Sequence, residues 1–228
     1  MADLAGGAGR YYRRRINMST YQLWDIEQWP RRNQFQFFRT YEDPFFQLCG
    51  NIEVTRLYQY AKEQQLSYSL SCLYFALAAA NRQEEFRLRW LDGQLVLFDR
   101  IHAGQTILAA DNTFLFCYFE WEADAAAFVA KGKANIERQL ASRELDPNTS
   151  QQDLIYFSVI PWISFTGLKH ARRGPAGMDG IPRIVFGKMF EEGNRRFMPL
   201  SVEANHALMD GYHVGRFFSD FQELLTGL

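Results

Sequence analysis

The spacing of the apolar residues changes from a helical to a strand period near residue 86, and this change constrains the fold more than any other feature. Before it, segments 25–41, 53–63 and 67–81 carry apolar residues three or four positions apart, which predicts three helices. The third is apolar nearly all round, so we expect it to be buried. After it, apolar and polar residues alternate on either side of Asp92 and Gly93, which predicts a β-hairpin.

The rest of the chain mixes both periods. Helices are predicted at 122–142 and 213–225, and strands at 104–110, 113–120, 154–166, 183–190 and 196–205. Segment 113–120 is apolar on both faces, so we expect it near the centre of a sheet. This order predicts an α/β (α+β) fold, in which helices cover one side of a mixed, largely antiparallel sheet.

Composition and charge exclude several classes of protein. The 25 basic and 26 acidic side chains nearly cancel, which argues against a nucleic-acid binder. No segment approaches the roughly 20 apolar residues of a membrane span, and no secretion signal is apparent. Three dispersed cysteines without a C-x-x-C pair predict no metal site and suit the cytoplasm. The 16% aromatic content leaves side chains for an apolar pocket or a subunit contact.

The first 18 residues differ from the rest of the chain. They are small and glycine-rich, and then carry four arginines between residues 10 and 15. We expect a flexible basic arm over 1–18, which is either frayed or in contact with a partner. The remainder, 19–228, has no linker and is predicted to be a single domain.

The stretch 199–211 carries the most informative chemistry. His206 ends the apolar face of a strand, and Asp210 follows four residues later at the start of the last helix. A histidine at a strand end can present a ring nitrogen to a substrate, and the aspartate can brace its loop. The alternative is a buried histidine bonded to backbone, with Asp210 as a helix cap. Structural or surface roles are predicted for the three other histidines, His102, His170 and His213.

Several segments together resemble one enzyme family. Residues 199–225, which include the run Gly-Tyr-His-Val-Gly-Arg-Phe after Asp210, resemble the C-terminus of the trimeric type-A chloramphenicol acetyltransferases. Segment 25–35 is similar to that family's first helix, 157–165 to its central strand and 86–99 to its hairpin. The resemblance covers roughly residues 20 to 226 and implies that family's two-layer sandwich fold.

The resemblance also implies roles for four residues. His206 would be the general base that takes a proton from an acceptor hydroxyl, which then attacks the thioester of the co-substrate acetyl-CoA. Ser158 would donate a hydrogen bond to the oxyanion. Arg31 and Asp210 would form a structural ion pair behind the histidine. No metal is implied, and transfer would be direct, without an acyl-enzyme.

Other positions depart from the family pattern around the acceptor. Asn205 replaces a second histidine, Val185 replaces a threonine, and Phe38 stands where a tyrosine is expected. We expect Phe38, Phe46 and Val185 to line the substrate pocket. The resemblance implies that the acceptor is chloramphenicol or a similar small hydroxyl compound. The sequence does not show which of these compounds it is.

The resemblance further implies a homotrimer with sites between subunits, without nucleic-acid or membrane partners and located in the cytoplasm. Two alternatives stay open. One is a non-catalytic, acetyltransferase-like trimer that only binds a ligand, for which the substitutions around the acceptor argue. The other is the acyltransferase core of the 2-oxo-acid dehydrogenase type, which shares the His-x-x-x-Asp-Gly spacing.

Overall fold

Helices and strands are interleaved along the chain in the computed structural model, which describes residues 14–16, 19–148, 150–171 and 180–228. The helices in these residues are α1 (Arg32–Phe38), α2 (Thr55–Glu63), α3 (Tyr68–Asn81), α4 (Ala125–Ser142) and α5 (Gly211–Thr226). The strands there are β1 (Arg14–Ile16), β2 (Ser19–Leu23), β3 (Phe45–Glu53), β4 (Leu88–Leu91), β5 (Gln94–Phe98), β6 (His102–Leu108), β7 (Phe114–Phe119), β8 (Leu154–Val159), β9 (Arg183–Phe186), β10 (Phe190–Glu192) and β11 (Arg195–Asn205).

The large sheet has the order β3-β11-β9-β8-β6-β7, with β10 forming a hairpin beside the start of β11. Strand β8 runs parallel to β6 and β9, whereas the other neighbours are antiparallel. The predicted mixed and largely antiparallel sheet is confirmed. The long strand β11 pairs on both sides, and the loop after it lies at the edge of the sheet where β3 begins.

Helices α2 to α5 cover one face of this sheet. Their apolar side chains form one core with the inward residues of the strands, among them Leu73, Leu77, Phe157, Val202, Phe217 and Phe221. Helix α3 lies in the middle, and ten of its 14 residues are buried. The prediction of a buried third helix is therefore confirmed.

The opposite face of the sheet is covered unevenly. Near β11 the loop after β8 crosses it, since the backbone N–H of His170 donates to Glu203 and the Phe165 ring packs against Gly187. Near β6 and β7 it is open, and Leu108 and Phe114 are 54% and 52% exposed. A sheet covered by helices on one side therefore leaves apolar side chains exposed on the other.

A smaller sheet, β1-β2-β5-β4, packs beside the large one. Its β4–β5 hairpin turns at Asp92 and Gly93, both with positive φ as a two-residue type I′ turn requires, so the predicted hairpin is confirmed. A second apolar cluster joins this hairpin and α1 to the loop after β11: Trp29, Phe35, Leu88, Leu95, Leu97, Ala207 and Leu208. This cluster fixes the position of that loop.

Several predicted elements differ from the structure. The strand expected over 154–166 ends at Val159, shortly before Pro161, which has no N–H for the sheet. The strand expected over 183–190 is divided into β9, which ends at Phe186, and the start of β10.

The helix expected over 25–41 is only α1, because an Asp25 side-chain turn and Pro30 hold the segment before it out of helical conformation. Strand β7 lies at the edge of the sheet and not at its centre. Of the predicted arm, 1–13 and 17–18 lie outside the described residues, while Arg14–Ile16 pairs with β2. The division at residue 18 stays a prediction.

Candidate active site

His206 is the first residue after β11, and its backbone is held in place from two sides. Its N–H donates to the carbonyl of Pro44, 2.8 Å away. The preceding Asn205 is buried, and its side-chain oxygen accepts the N–H of Ala207 at 2.9 Å. The Asn205 carbonyl also accepts the N–H of Leu208. The turn that carries the histidine is therefore built by Asn205.

The imidazole of His206 contacts two phenyl rings. Phe38 stacks on it with ring centroids 3.8 Å apart and an angle of 10°, and Phe46 lies at 4.6 Å and 44°. Its Nδ1 is buried and lies 3.1 Å from Oδ1 of Asp210, in an electrostatic contact without hydrogen-bond geometry. The side chain is 31% exposed, so Nε2 is the nitrogen available to a substrate. Two of the three expected pocket residues thus touch the expected base.

Arg31 ties the loop of His206 to the segment before α1. Its guanidinium binds both carboxylate oxygens of Asp210, at 2.8 and 2.5 Å, and donates to the carbonyls of His206 and Ala207 at 3.1 Å each. Arg31 is buried, whereas the neighbouring Arg32 forms an exposed pair with Glu27. Burial would raise the pKa of Asp210, but the hydrogen bonds and charge of Arg31 outweigh it and hold the pKa below its usual value.

Asp210 also begins helix α5. Its side chain and that of His213 form a reciprocal cap, in which the N–H of Asp210 donates to Nδ1 of His213 at 2.9 Å. The His213 Nε2 lies 3.3 Å from Glu85. Burial lowers the pKa of His213 more than the nearby carboxylates raise it. His213 is thus a buried cap residue of the helix that follows the site.

Ser158 lies on β8, on the sheet face opposite the helices. Its hydroxyl is 3.2 Å from that of Thr106 on β6, and its backbone pairs with Val185 on β9. Val185 is fully buried and pairs in turn with Ser201 on β11. The third expected pocket residue therefore lies beside Ser158 and not beside His206.

The two expected catalytic residues are far apart within one chain. The register places Ser158 level with Ser201, two strands away, and Ser201 precedes His206 by five residues. Strand spacing and rise give a separation of about 20 Å. An oxyanion donor must lie about 3 Å from the oxygen that it stabilises. One chain therefore does not bring Ser158 and His206 to the same reacting group.

A cavity of about 110 Å³ adjoins the loop of His206, with Phe35, Trp90 and Arg39 among its lining residues. Asn205 also lines it, but none of the predicted catalytic residues does. Such a volume is far too small for a co-substrate as large as acetyl-CoA. This cavity is therefore not the reaction site.

Histidine side chains elsewhere make contacts that stabilise the fold. His102 accepts the N–H of Trp121 at 2.8 Å, and burial lowers its pKa. The described residues contain no cluster of side chains suited to a metal ion. Among them, no helix is both long and apolar enough to cross a membrane.

Sequence reasoning missed two supporting residues. Asn205 stood out only as a departure from the family pattern, although a polar residue at a strand end before a loop is a signal for an Asx turn. Thr106 gave a weaker signal, because only the pairing of β6 with β8 reveals that its hydroxyl meets Ser158.

Comparisons with known proteins agree with this architecture. A family model described as chloramphenicol acetyltransferase matches residues 19–222. A chloramphenicol acetyltransferase of Clostridium perfringens is 30% identical over 209 residues, which are 90% of this chain and 95% of that protein. A solved chloramphenicol acetyltransferase structure matches with a TM-score of 0.80 and 27% identity, covering 90% of this chain and 99% of that one.

A dihydrolipoamide acetyltransferase of Azotobacter vinelandii is more distant, with a TM-score of 0.62 and 16% identity over 85% of each chain, and it shows a shared fold alone. The fold and the family matches define an acyltransferase. More particularly, the chain belongs to the chloramphenicol acetyltransferase family. The predicted family, fold and enzyme class are thereby confirmed.

Proposed function

We propose that this protein transfers an acetyl group from acetyl-CoA to a hydroxyl of chloramphenicol or a similar small acceptor, with His206 as the general base. The observation that carries this proposal is the setting of the imidazole. It packs against Phe38 and Phe46, its Nδ1 faces Asp210, and its Nε2 is available. A histidine with one ring nitrogen facing a carboxylate and the other available to a substrate is suited to general-base catalysis.

The reaction would proceed by direct transfer. Nε2 of His206 takes the proton of the acceptor hydroxyl while the hydroxyl oxygen attacks the thioester carbonyl. The carbonyl oxygen gains negative charge, and the C–S bond then breaks to release CoA, which recovers the proton from the imidazolium. The Asp210 carboxylate, 3.1 Å from Nδ1, would stabilise the positive ring.

Ser158 would stabilise the oxyanion. Its hydroxyl is partly exposed on the open face of the sheet, and the Thr106 hydroxyl at 3.2 Å can accept or donate to orient it. A donor fixed before the reaction stabilises developing charge without reorganisation. The neighbouring Val185 supplies an apolar wall beside this hydroxyl.

We also propose a homotrimer in which Ser158 and His206 of different subunits share each site. The separation of about 20 Å within one chain supports this arrangement. So do exposed apolar side chains beside Ser158, at Leu108 and Phe114, since monomers rarely expose such patches. The aromatic content, 16% of the chain, is consistent with a subunit contact. The cytoplasmic location expected from the cysteines stays a prediction.

The test is thiol release from acetyl-CoA by the purified protein, with chloramphenicol, a panel of small alcohols and dihydrolipoamide as acceptors. Turnover with a hydroxyl acceptor, and none after that hydroxyl is acetylated, is the expected result. Turnover with the dithiol alone would favour the 2-oxo-acid dehydrogenase type of chemistry. Acceptor binding without any turnover would favour a ligand-binding trimer and contradict the proposal.

A further inference from the structure

The cavity beside the loop of His206 has at its edge an arginine whose charge has no partner in the described part of the chain. Arg39 follows α1, and its backbone N–H donates to the carbonyl of Phe35. Its guanidinium lies over the rings of Phe35 and Trp90, 5.4 and 4.9 Å from their centroids. No described carboxylate or carbonyl accepts a hydrogen bond from it. The two rings therefore hold a cation whose N–H donors remain available to a ligand.

The same two rings form one wall of the cavity, which has a volume of about 110 Å³. The centroids of Phe35 and Trp90 lie 5.4 Å apart, and Ala207 and Leu208 contribute further apolar surface. Phe35 and Leu208 are buried, whereas Arg39 is exposed. The cavity thus reaches from a positive charge at the surface to an apolar interior.

A single cation beside an apolar wall restricts the chemistry of a ligand. A guanidinium binds a carboxylate through two parallel hydrogen bonds, and its one positive charge compensates one negative charge. The apolar wall suits a hydrocarbon chain, whereas a phosphate would place unpaired oxygens against it. An engineered apolar cavity of about 150 Å³ holds benzene. This smaller cavity therefore fits a carboxylate of about two to four carbons.

We propose that this cavity binds a short-chain carboxylate, with its carboxylate group on Arg39 and its hydrocarbon chain against Phe35 and Trp90. Such a ligand would contact the two residues that follow His206 along the chain. It would bind apart from the reaction centre, since none of the predicted catalytic residues lines the cavity. The inference does not depend on the proposed function, and binding is measured without turnover.

The test is calorimetric titration of sodium propionate, at constant ionic strength, into wild type and three variants. Arg39→Met removes the charge and keeps a side chain on the two rings. Arg39→Lys keeps the charge but loses the planar fork that binds both carboxylate oxygens. The matched control is Arg32→Met, which removes an exposed arginine at the start of α1 that does not line the cavity. Propionamide, benzoate and inorganic phosphate are titrated into wild type as well.

We expect wild type to bind one propionate per chain, and the control to bind it with an affinity within about twofold. The affinity should fall about 10- to 100-fold in Arg39→Met, as for lost hydrogen bonds to a charged group. Arg39→Lys should lose less, because it remains a cation. Propionamide should bind more weakly because it is uncharged, benzoate because it is too large, and phosphate because it has no apolar part.

Several results would overturn the inference. Equal affinities for propionate and propionamide would mean that the charge is not recognised, and an equal loss in the control would reflect net charge alone. Phosphate or benzoate binding as tightly as propionate, or no saturable binding at all, would contradict the class of ligand. If Arg39→Met unfolds, Arg39→Lys decides the question, because it keeps a cation over both rings. Propionate binding without turnover of any acceptor would contradict the proposed function alone.

Discussion

At the scale of single residues, the apolar setting of His206 is the feature with the clearest consequences. Phe38 stacks on the ring and Phe46 packs against it, while the Asp210 carboxylate beside Nδ1 is held by Arg31. His213 faces Glu85 and the N–H of Asp210, and cannot substitute for His206. Water, by contrast, can partly replace the hydroxyl of Ser158.

We therefore expect His206→Ala to lose more activity than Ser158→Ala. Loss of a general base lowers the rate by about 10²–10⁴, and loss of one oxyanion donor by about 10²–10³. Steady-state rates of acetyl transfer measure the loss in each variant. The matched control is Ser164→Ala, which removes a hydroxyl that donates to the backbone carbonyl of Lys188. Small and equal losses in the two site variants would place the reaction elsewhere.

The Arg31–Asp210 pair gives a prediction about stability. Asp210→Asn leaves a buried guanidinium without its carboxylate, which should cost on the order of 3 kcal/mol in the free energy of unfolding. Glu27→Gln, which breaks the exposed pair with Arg32, should cost less than about 1 kcal/mol. Urea unfolding at pH 7 measures both variants.

The sign of the pH effect follows from the lowered pKa of Asp210. The unfolded chain binds the proton first, so the stability from this carboxylate is present above the unfolded pKa of about 3.9 and is lost at lower pH. The difference between wild type and Asp210→Asn should shrink as the pH falls below 4. A constant difference would show that Arg31 does not stabilise the charged form.

Residue patterns alone indicated part of this site. The spacing of His206 and Asp210 identified two residues that the structure places in one loop. The family motifs added Arg31, which is buried and binds Asp210, whereas the neighbouring Arg32 is exposed. The burial of Glu203 was not indicated, because charged residues that alternate along a strand usually lie on its solvent side. Only the pairing of β11 with β3 and β9 shows that this residue is buried.

At the scale of elements, the start of α5 connects the site to the helical layer. Its cap uses His213, which is unusual because a histidine stands where a capping box has glutamate or glutamine. Burial lowers the pKa of this ring, so the cap is made by the neutral form.

His213→Ala should therefore destabilise the protein most at alkaline pH, because alanine cannot accept the N–H of Asp210 as the neutral ring does. The loss should be about 1 kcal/mol near pH 8, as for a lost cap. Below about pH 6.5, His213 is protonated more readily in the unfolded chain than in the folded one. The free energy of unfolding of wild type therefore falls, and its difference from that of the variant becomes smaller. Urea midpoints between pH 5 and 8 measure this, with exposed Ser219→Ala as a control. A difference that grows toward low pH would mean that the protonated ring is the stabilising form.

Elements with strong local signals were predicted well. The β4–β5 hairpin follows from its turn residues, and α3 from its uniform apolar character. Strand β7 was misplaced for a physical reason: Leu115, Cys117 and Phe119 face the helices, while Phe114 on the other face is half exposed in a single chain. Apolar residues on both faces of a strand predict that both faces are buried. For β7 this prediction holds only if a second subunit covers the open face of the sheet.

At the scale of the whole molecule, the separation of Ser158 from His206 would make activity depend on assembly in the proposed homotrimer. A monomer would hold both residues without a complete site. Trimers with rotational symmetry repeat one contact three times, so each subunit would give its histidine to one site and its serine to another.

Mixed trimers test this directly. His206→Ala and Ser158→Ala subunits, each nearly inactive alone, should form mixed trimers on co-expression in which one site combines an intact histidine with an intact serine. Activity should then reappear in the doubly tagged, mixed species, and light scattering should give the mass of a trimer. Mixed trimers no more active than either parent, or a monomeric mass, would contradict shared sites.

The position of β11 also bears on how the chain is made. This strand lies between β3 and β9 but is synthesised long after β3, and the partners of Arg31 lie some 175 residues further along the chain. Contacts so distant in sequence make folding slow. Until residue 205 has emerged, β3 lacks its neighbour and presents an unpaired edge to other nascent chains. Synthesis of β11 thus determines when the large sheet can be completed, and a stop codon before residue 195 removes both the partner of β3 and the proposed base.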